Sequence, residues 1–169
     1  MNTDSIEVTR FSDIDSGPVV QLLSRYGLSI RVVPAGRPIP GSFWGDEEAG
    51  LVGNELIVRP DTPLHSILHE TCHYICMDEA RRQNLNTNAG GDYDEENAVC
   101  YLQILLSAEI PGFGQEKMIR DMDAWGYSFR LGSAQAWFKQ DATDARKWLL
   151  SKGLITANGR PAQSTRSER

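Results

Sequence analysis

Histidine is scarce in this 169-residue chain: there are three, at positions 65, 69 and 73, and none beyond. Any imidazole chemistry the protein performs must therefore be concentrated in one short segment. Long apolar runs are also missing. The longest are a few residues, such as Tyr74-Ile75-Cys76-Met77, far short of the roughly 20 needed to span a membrane. A basic excess is missing too, with 17 Lys plus Arg against 23 Asp plus Glu. Phosphate contacts require clustered Lys and Arg, so a nucleic-acid groove is not expected. Three cysteines, Cys72, Cys76 and Cys100, cannot all pair with one another, and reduced core thiols are the expectation. The segment Met1-Asn2-Thr3-Asp4-Ser5 has neither the basic nor the apolar region of a secretory signal, so a cytoplasmic location is expected.

What is present is ordinary for a globular protein: 40% hydrophobic and 24% charged residues, too apolar for disorder. The length suits a single domain, expected over residues 1–156. Residues 157–169, with three Arg and one Glu, read as a flexible end.

Ser16-Gly17-Pro18 opens a probable first helix that stops at Gly27, and Leu28 to Val33 alternates like a strand before Pro34. A proline-rich loop follows. Leu51-Val52-Gly53-Asn54-Glu55-Leu56-Ile57-Val58 then reads as a short hairpin around Gly53-Asn54. Together with Gly41-Ser42-Phe43-Trp44-Gly45 it is a candidate edge along which a peptide could add as an extra strand, an ordinary hairpin being the competing view. Asp61-Thr62-Pro63 opens a helix over about 64–79. Later helices are expected over about 92–109, 115–125 and 133–152. The predicted class is α+β, mainly helical, with a small sheet ahead of the histidine-bearing helix.

That helix carries His69-Glu70-Thr71-Cys72-His73, an H-E-x-x-H sequence. Residues four apart stack on one face, so both imidazoles can reach one ion. Zinc takes them at about 2.0–2.1 Å in tetrahedral geometry. Glu70 projects roughly 100° around the helix from His69, beside the ion but outside its ligand shell. There it can serve as general base toward a metal-activated water. The third ligand cannot be histidine, because none remains after His73. The astacin- and matrixin-like H-E-x-x-H-x-x-G-x-x-H pattern is excluded, with Cys76 at its glycine and Glu79 at its final histidine. A carboxylate must serve, and Asp92, Asp94, Glu95 and Glu96 open the next long helix. Ala98, Val99, Leu102, Leu105 and Leu106 mark its apolar face, with Glu95 inside it and Glu96 about 140° from its centre. A carboxylate on a core-facing stripe needs a partner. Glu95 is therefore the expected ligand, with Glu96 or Asp92 in reserve.

His69-Glu70-Thr71-Cys72-His73 followed by Glu95-Glu96-Asn97-Ala98 resembles the gluzincin pattern, H-E-x-x-H with a downstream E-x-x-A. The surroundings, including Tyr101 and Leu105-Leu106, resemble the small bacterial gluzincins and the ImmA/IrrE-type peptidases over roughly residues 42–110. The resemblance implies one Zn2+ bound by His69, His73 and Glu95, Glu70 as general base, and a peptide or protein substrate. A hydrolase of this type also needs a donor for the oxyanion. Tyr127 and Arg130, in Trp125-Gly126-Tyr127-Ser128-Phe129-Arg130, are the candidates, aromatic core packing being the alternative for the segment. His65 lies one turn before His69 and is open to either a supporting or a purely local role. Two other readings stand beside the enzyme: a metal-binding regulator acting through a protein partner, and a structural metal site. Two histidines and a carboxylate also suit iron.

Overall fold

The computed structural model describes residues 7–40, 48–83, 91–129 and 131–167. Its described elements run, after a short 3-10 turn at Phe11–Asp13, as α1 (Ser16–Ser24), β1 (Ser29–Val32), β2 (Gly50–Val52), β3 (Glu55–Val58), α2 (Leu64–Cys76), α3 (Glu79–Gln83), α4 (Tyr93–Ser107), α5 (Gly114–Trp125), α6 (Ala134–Gln140) and α7 (Thr143–Ser151). The α+β class is as expected: helices accompany one three-stranded sheet of order β1-β3-β2, against which α1 and α2 pack. No helix of the described residues is long and apolar enough to cross a membrane.

The hairpin forms where Gly53-Asn54 allows it. Gly53 takes φ +60°, a conformation glycine adopts without strain, and β2 pairs antiparallel with β3 in the register Leu51↔Leu56. The first strand docks in parallel on the far side of β3, with Ile30 opposite Leu56. Of the expected peptide-binding edge, Gly41 to Gly45 lies outside the described residues.

α2 is the central helix. Leu64, Ile67, Leu68, Cys72, Ile75 and Cys76 are buried, and the helix packs on α4, α5 and β3. Its start differs from the expectation. Pro63 holds the N-cap position, while Thr62 Oγ1 accepts from the Arg59 amide at 2.8 Å. The Leu64 amide is satisfied instead by Thr9 O at 2.9 Å. α4 crosses α2 and also meets α5 and α7, burying Ala98, Val99, Leu102 and Leu106. Asp92 caps α4, its side chain accepting from the Glu95 amide at 2.9 Å. That capping role accounts for Asp92 without a metal.

The helix expected over 133–152 is two helices. α6 ends at Gln140 and α7 starts at Thr143, a break at Asp141-Ala142 made without glycine or proline. Bending there lets both Trp137 and Leu149 reach the core. The segment read as a flexible end is packed as far as it is described. The Ala162 amide donates to Leu154 O at 3.0 Å, and the Arg166 amide to Ile75 O at 2.9 Å.

Candidate metal centre

Where α2 passes α4, the imidazole Nε2 atoms of His69 and His73 meet the two oxygens of one carboxylate. It belongs to Glu96: His69 Nε2 to Oε1 is 3.1 Å and His73 Nε2 to Oε2 is 3.2 Å. Against the burial that opposes it, hydrogen bonds to the two histidines hold the Glu96 carboxyl well below its usual range. His69 shifts the opposite way. Burial works against its charge, yet Tyr127, Cys100 and Glu96 together raise the imidazole well above its ordinary value.

The structure does not bring Glu95 to the histidines. Glu95 is 4% exposed, as its place on the apolar stripe required, but its partners are cations. Arg81 Nη2 donates to Oε1 at 2.6 Å and Arg166 Nη1 at 3.4 Å. A Cβ on Gly91 would come within 2.6 Å of its other oxygen, so the chain must pass this carboxylate as glycine. Where Glu95 was expected at the histidines, the structure places Glu96, the first reserve. Glu95 is drawn to Arg81 and Arg166 on its own face of α4. Glu96, with its side chain 48% exposed, stands on the edge that meets His69 and His73.

Cys100 joins this group. One donor atom each from His69, Glu96 and Cys100 lies within 4.8 Å of the others, so this trio could hold a metal ion. The arrangement follows from helical spacing, because Glu96 and Cys100 are four apart on α4 and share an edge. Gln103 continues that edge at i+7 and supports the site from below. Its Oε1 lies 2.7 Å from His69 Nδ1, and its amide nitrogen donates to His65 O at 3.2 Å and toward Met118 Sδ at 3.6 Å. With Oε1 as acceptor, Nδ1 carries a proton; in the charged ring Nε2 donates to Glu96, and loss of that second proton gives Nε2 a lone pair for an ion. Sequence reading missed Gln103. The signal available was the polar line Glu96, Cys100, Gln103 running beside the apolar stripe.

His69 opens onto a cleft of about 620 Å³ that is also lined by Glu48, Glu70, Glu96, Trp125 and Tyr127. Burial pushes the Glu70 carboxyl above its ordinary range, against the pull of His69 and His73 and with the help of Glu48 and Glu96. Tyr127 comes from the turn after α5, where Gly126 takes φ +103° and swings the chain back over α2. Its ring stands edge-on to His69 at 5.6 Å, and its hydroxyl is 3.1 Å from His65 Nδ1. Burial raises the Tyr127 hydroxyl above its ordinary value, so it is a protonated donor at neutral pH. His65 is 1% exposed and packs on Trp125. Burial first, then His69 and Arg10, push it down to about 3. It is a neutral prop for Tyr127. Arg130 lies outside the described residues.

No protein-family model, curated protein or solved structure matches this chain. The chemistry of the site therefore has to carry the functional argument.

Proposed function

We propose that the protein is a zinc-dependent hydrolase of gluzincin type acting on peptide bonds. One observation carries the reading: two imidazoles four residues apart face one carboxylate, in the same cleft as a glutamate whose carboxyl is shifted upward. His69, His73 and Glu96 would hold the ion, and their nitrogen and carboxylate donors are those zinc takes. The site is consistent with that use, because Gln103 engages Nδ1 of His69 and leaves Nε2 as the nitrogen that can pass from Glu96 to an ion. A bound zinc ion supplies Lewis acidity, polarising a carbonyl and making a water acidic near neutral pH.

The protein's own groups do the rest. Glu70 takes the proton from the attacking water and passes it to the leaving amine, a role its raised pKa suits. Tyr127, held by His65, donates to the oxygen that becomes negative as the carbon turns tetrahedral. Trp125 fixes one wall, its Nε1 donating to Glu48 Oε2 at 2.7 Å.

The test is a peptide library incubated with zinc-loaded protein, with and without chelator, beside Glu70→Gln. Chelator-sensitive cleavage that falls at least ~100-fold in the variant, with zinc content unchanged, supports the mechanism. Undiminished cleavage in Glu70→Gln overturns it. Zinc bound at these residues without cleavage of any peptide would favour the regulatory reading.

A further inference from the structure

We propose that Cys100 is a ligand of the ion, so that its donor set includes a thiolate. The inference rests on the metal-site reading above and sharpens it, because a thiolate distinguishes metals that two histidines and a carboxylate do not. The three cysteines are not equivalent. Cys72 and Cys76 lie on α2 at 0% exposure, where burial first, and then neighbouring thiols at Cys72 and Glu95 and Glu96 at Cys76, push both well above their ordinary values. They are core side chains, as expected from the sequence. Cys100 was given the same reading, and its surroundings differ. It stands on the α4 edge that presents Glu96, beside His69, with one donor atom from each of the three within 4.8 Å of the others.

That separation is the right size. An ion with Zn–N and Zn–O at about 2.0–2.1 Å and Zn–S at about 2.3 Å sets its donors roughly 3.3–3.7 Å apart. The three donors lie within about an ångström of that spacing, a gap that side-chain adjustment can close. His69 offers Nε2, because Nδ1 is engaged by Gln103, and Glu96 offers the oxygen it now turns to His69. His73 faces the other oxygen of Glu96 and stands apart from this trio. Cys100 enters as the thiolate, and its proton passes to solvent as the ion binds.

Two consequences follow. Soft thiolate donors favour zinc over magnesium, calcium and manganese. Three donors from this trio leave one tetrahedral corner, for which His73 and the water that hydrolysis needs compete.

The experiment uses the full chain loaded with Co2+ in place of zinc. A thiolate ligand gives a sulfur-to-cobalt charge-transfer band in the near ultraviolet, which is expected in the wild type and lost in Cys100→Ser with cobalt still bound. Zinc-edge X-ray absorption on the wild type gives a second readout independent of any variant, with a zinc–sulfur shell expected at about 2.3 Å. Cobalt bound without the band, a band that survives in Cys100→Ser, or a zinc shell of nitrogen and oxygen alone would each overturn the role of Cys100 and leave the hydrolase reading standing. Failure of the chain to bind either ion overturns both.

Discussion

Glu95 and Glu96 are adjacent in the chain and opposite in environment. Glu95 is a buried anion neutralised by Arg81 and Arg166, and Glu96 is a half-exposed anion held by two imidazoles. Their variants should separate cleanly. Glu95→Ala strands two cations, which for a buried pair costs ~3 kcal/mol, and it should leave zinc retention largely intact. Glu96→Ala should do the reverse, keeping the unfolding midpoint while zinc retention falls by more than the ~10–100-fold typical of supporting residues. Chemical denaturation and chelator competition on both proteins check this, and the opposite pattern would restore Glu95 as the ligand. Gln103→Leu probes the supporting bond. It should weaken zinc retention ~10–100-fold by freeing the His69 ring, and Gln103→Glu, which keeps an acceptor for Nδ1, should recover it.

Among the elements, α2 and α4 make the site and the C-terminal segment braces it from behind. Arg166 bonds the α2 carbonyls of Ile75 and Cys76, reaches Glu95 and stacks on Trp148 of α7, while Arg82 donates to Arg166 O, Tyr74 O and Met77 O. Four separate elements, α2, α3, α4 and α7, thus meet at one arginine. Arg166→Ala should destabilise the fold by roughly 2–3 kcal/mol, from lost charge-assisted hydrogen bonds to buried acceptors. A shift in the denaturation midpoint of that size is expected, and no shift would mean the segment is merely laid against α2.

The balance of charge across the molecule makes it sensitive to acid. In the unfolded chain His65 takes up a proton near pH 6.5, whereas in the fold it stays neutral down to about 3. Between those values the unfolded state binds more protons, so stability falls as pH falls, by about 1.4 kcal/mol per pH unit from this group. Denaturation of the metal-free protein across that window should show this slope, and His65→Phe should flatten it relative to wild type. An unchanged slope in the variant would show that His65 is charged in the fold.

Much of this architecture was legible before any coordinates. The class, the Gly53 hairpin, the helix bearing His69, Glu70 and His73 and the burial of Glu95 all follow from local spacing, because turn chemistry and helical period act over a few residues. The i, i+4 placement of two imidazoles and the need for a carboxylate partner were likewise written in the chain. The identity of that carboxylate was not. Choosing between Glu95 and Glu96 depended on Arg166, distant in sequence, being folded back to neutralise one of them, and on which edge of α4 met α2. The same crossing brought Cys100 and Gln103 to His69, and the turn after α5 brought Tyr127 to His65. Helical phase states which side chains share a face, whereas the packing of one helix against another states what that face meets.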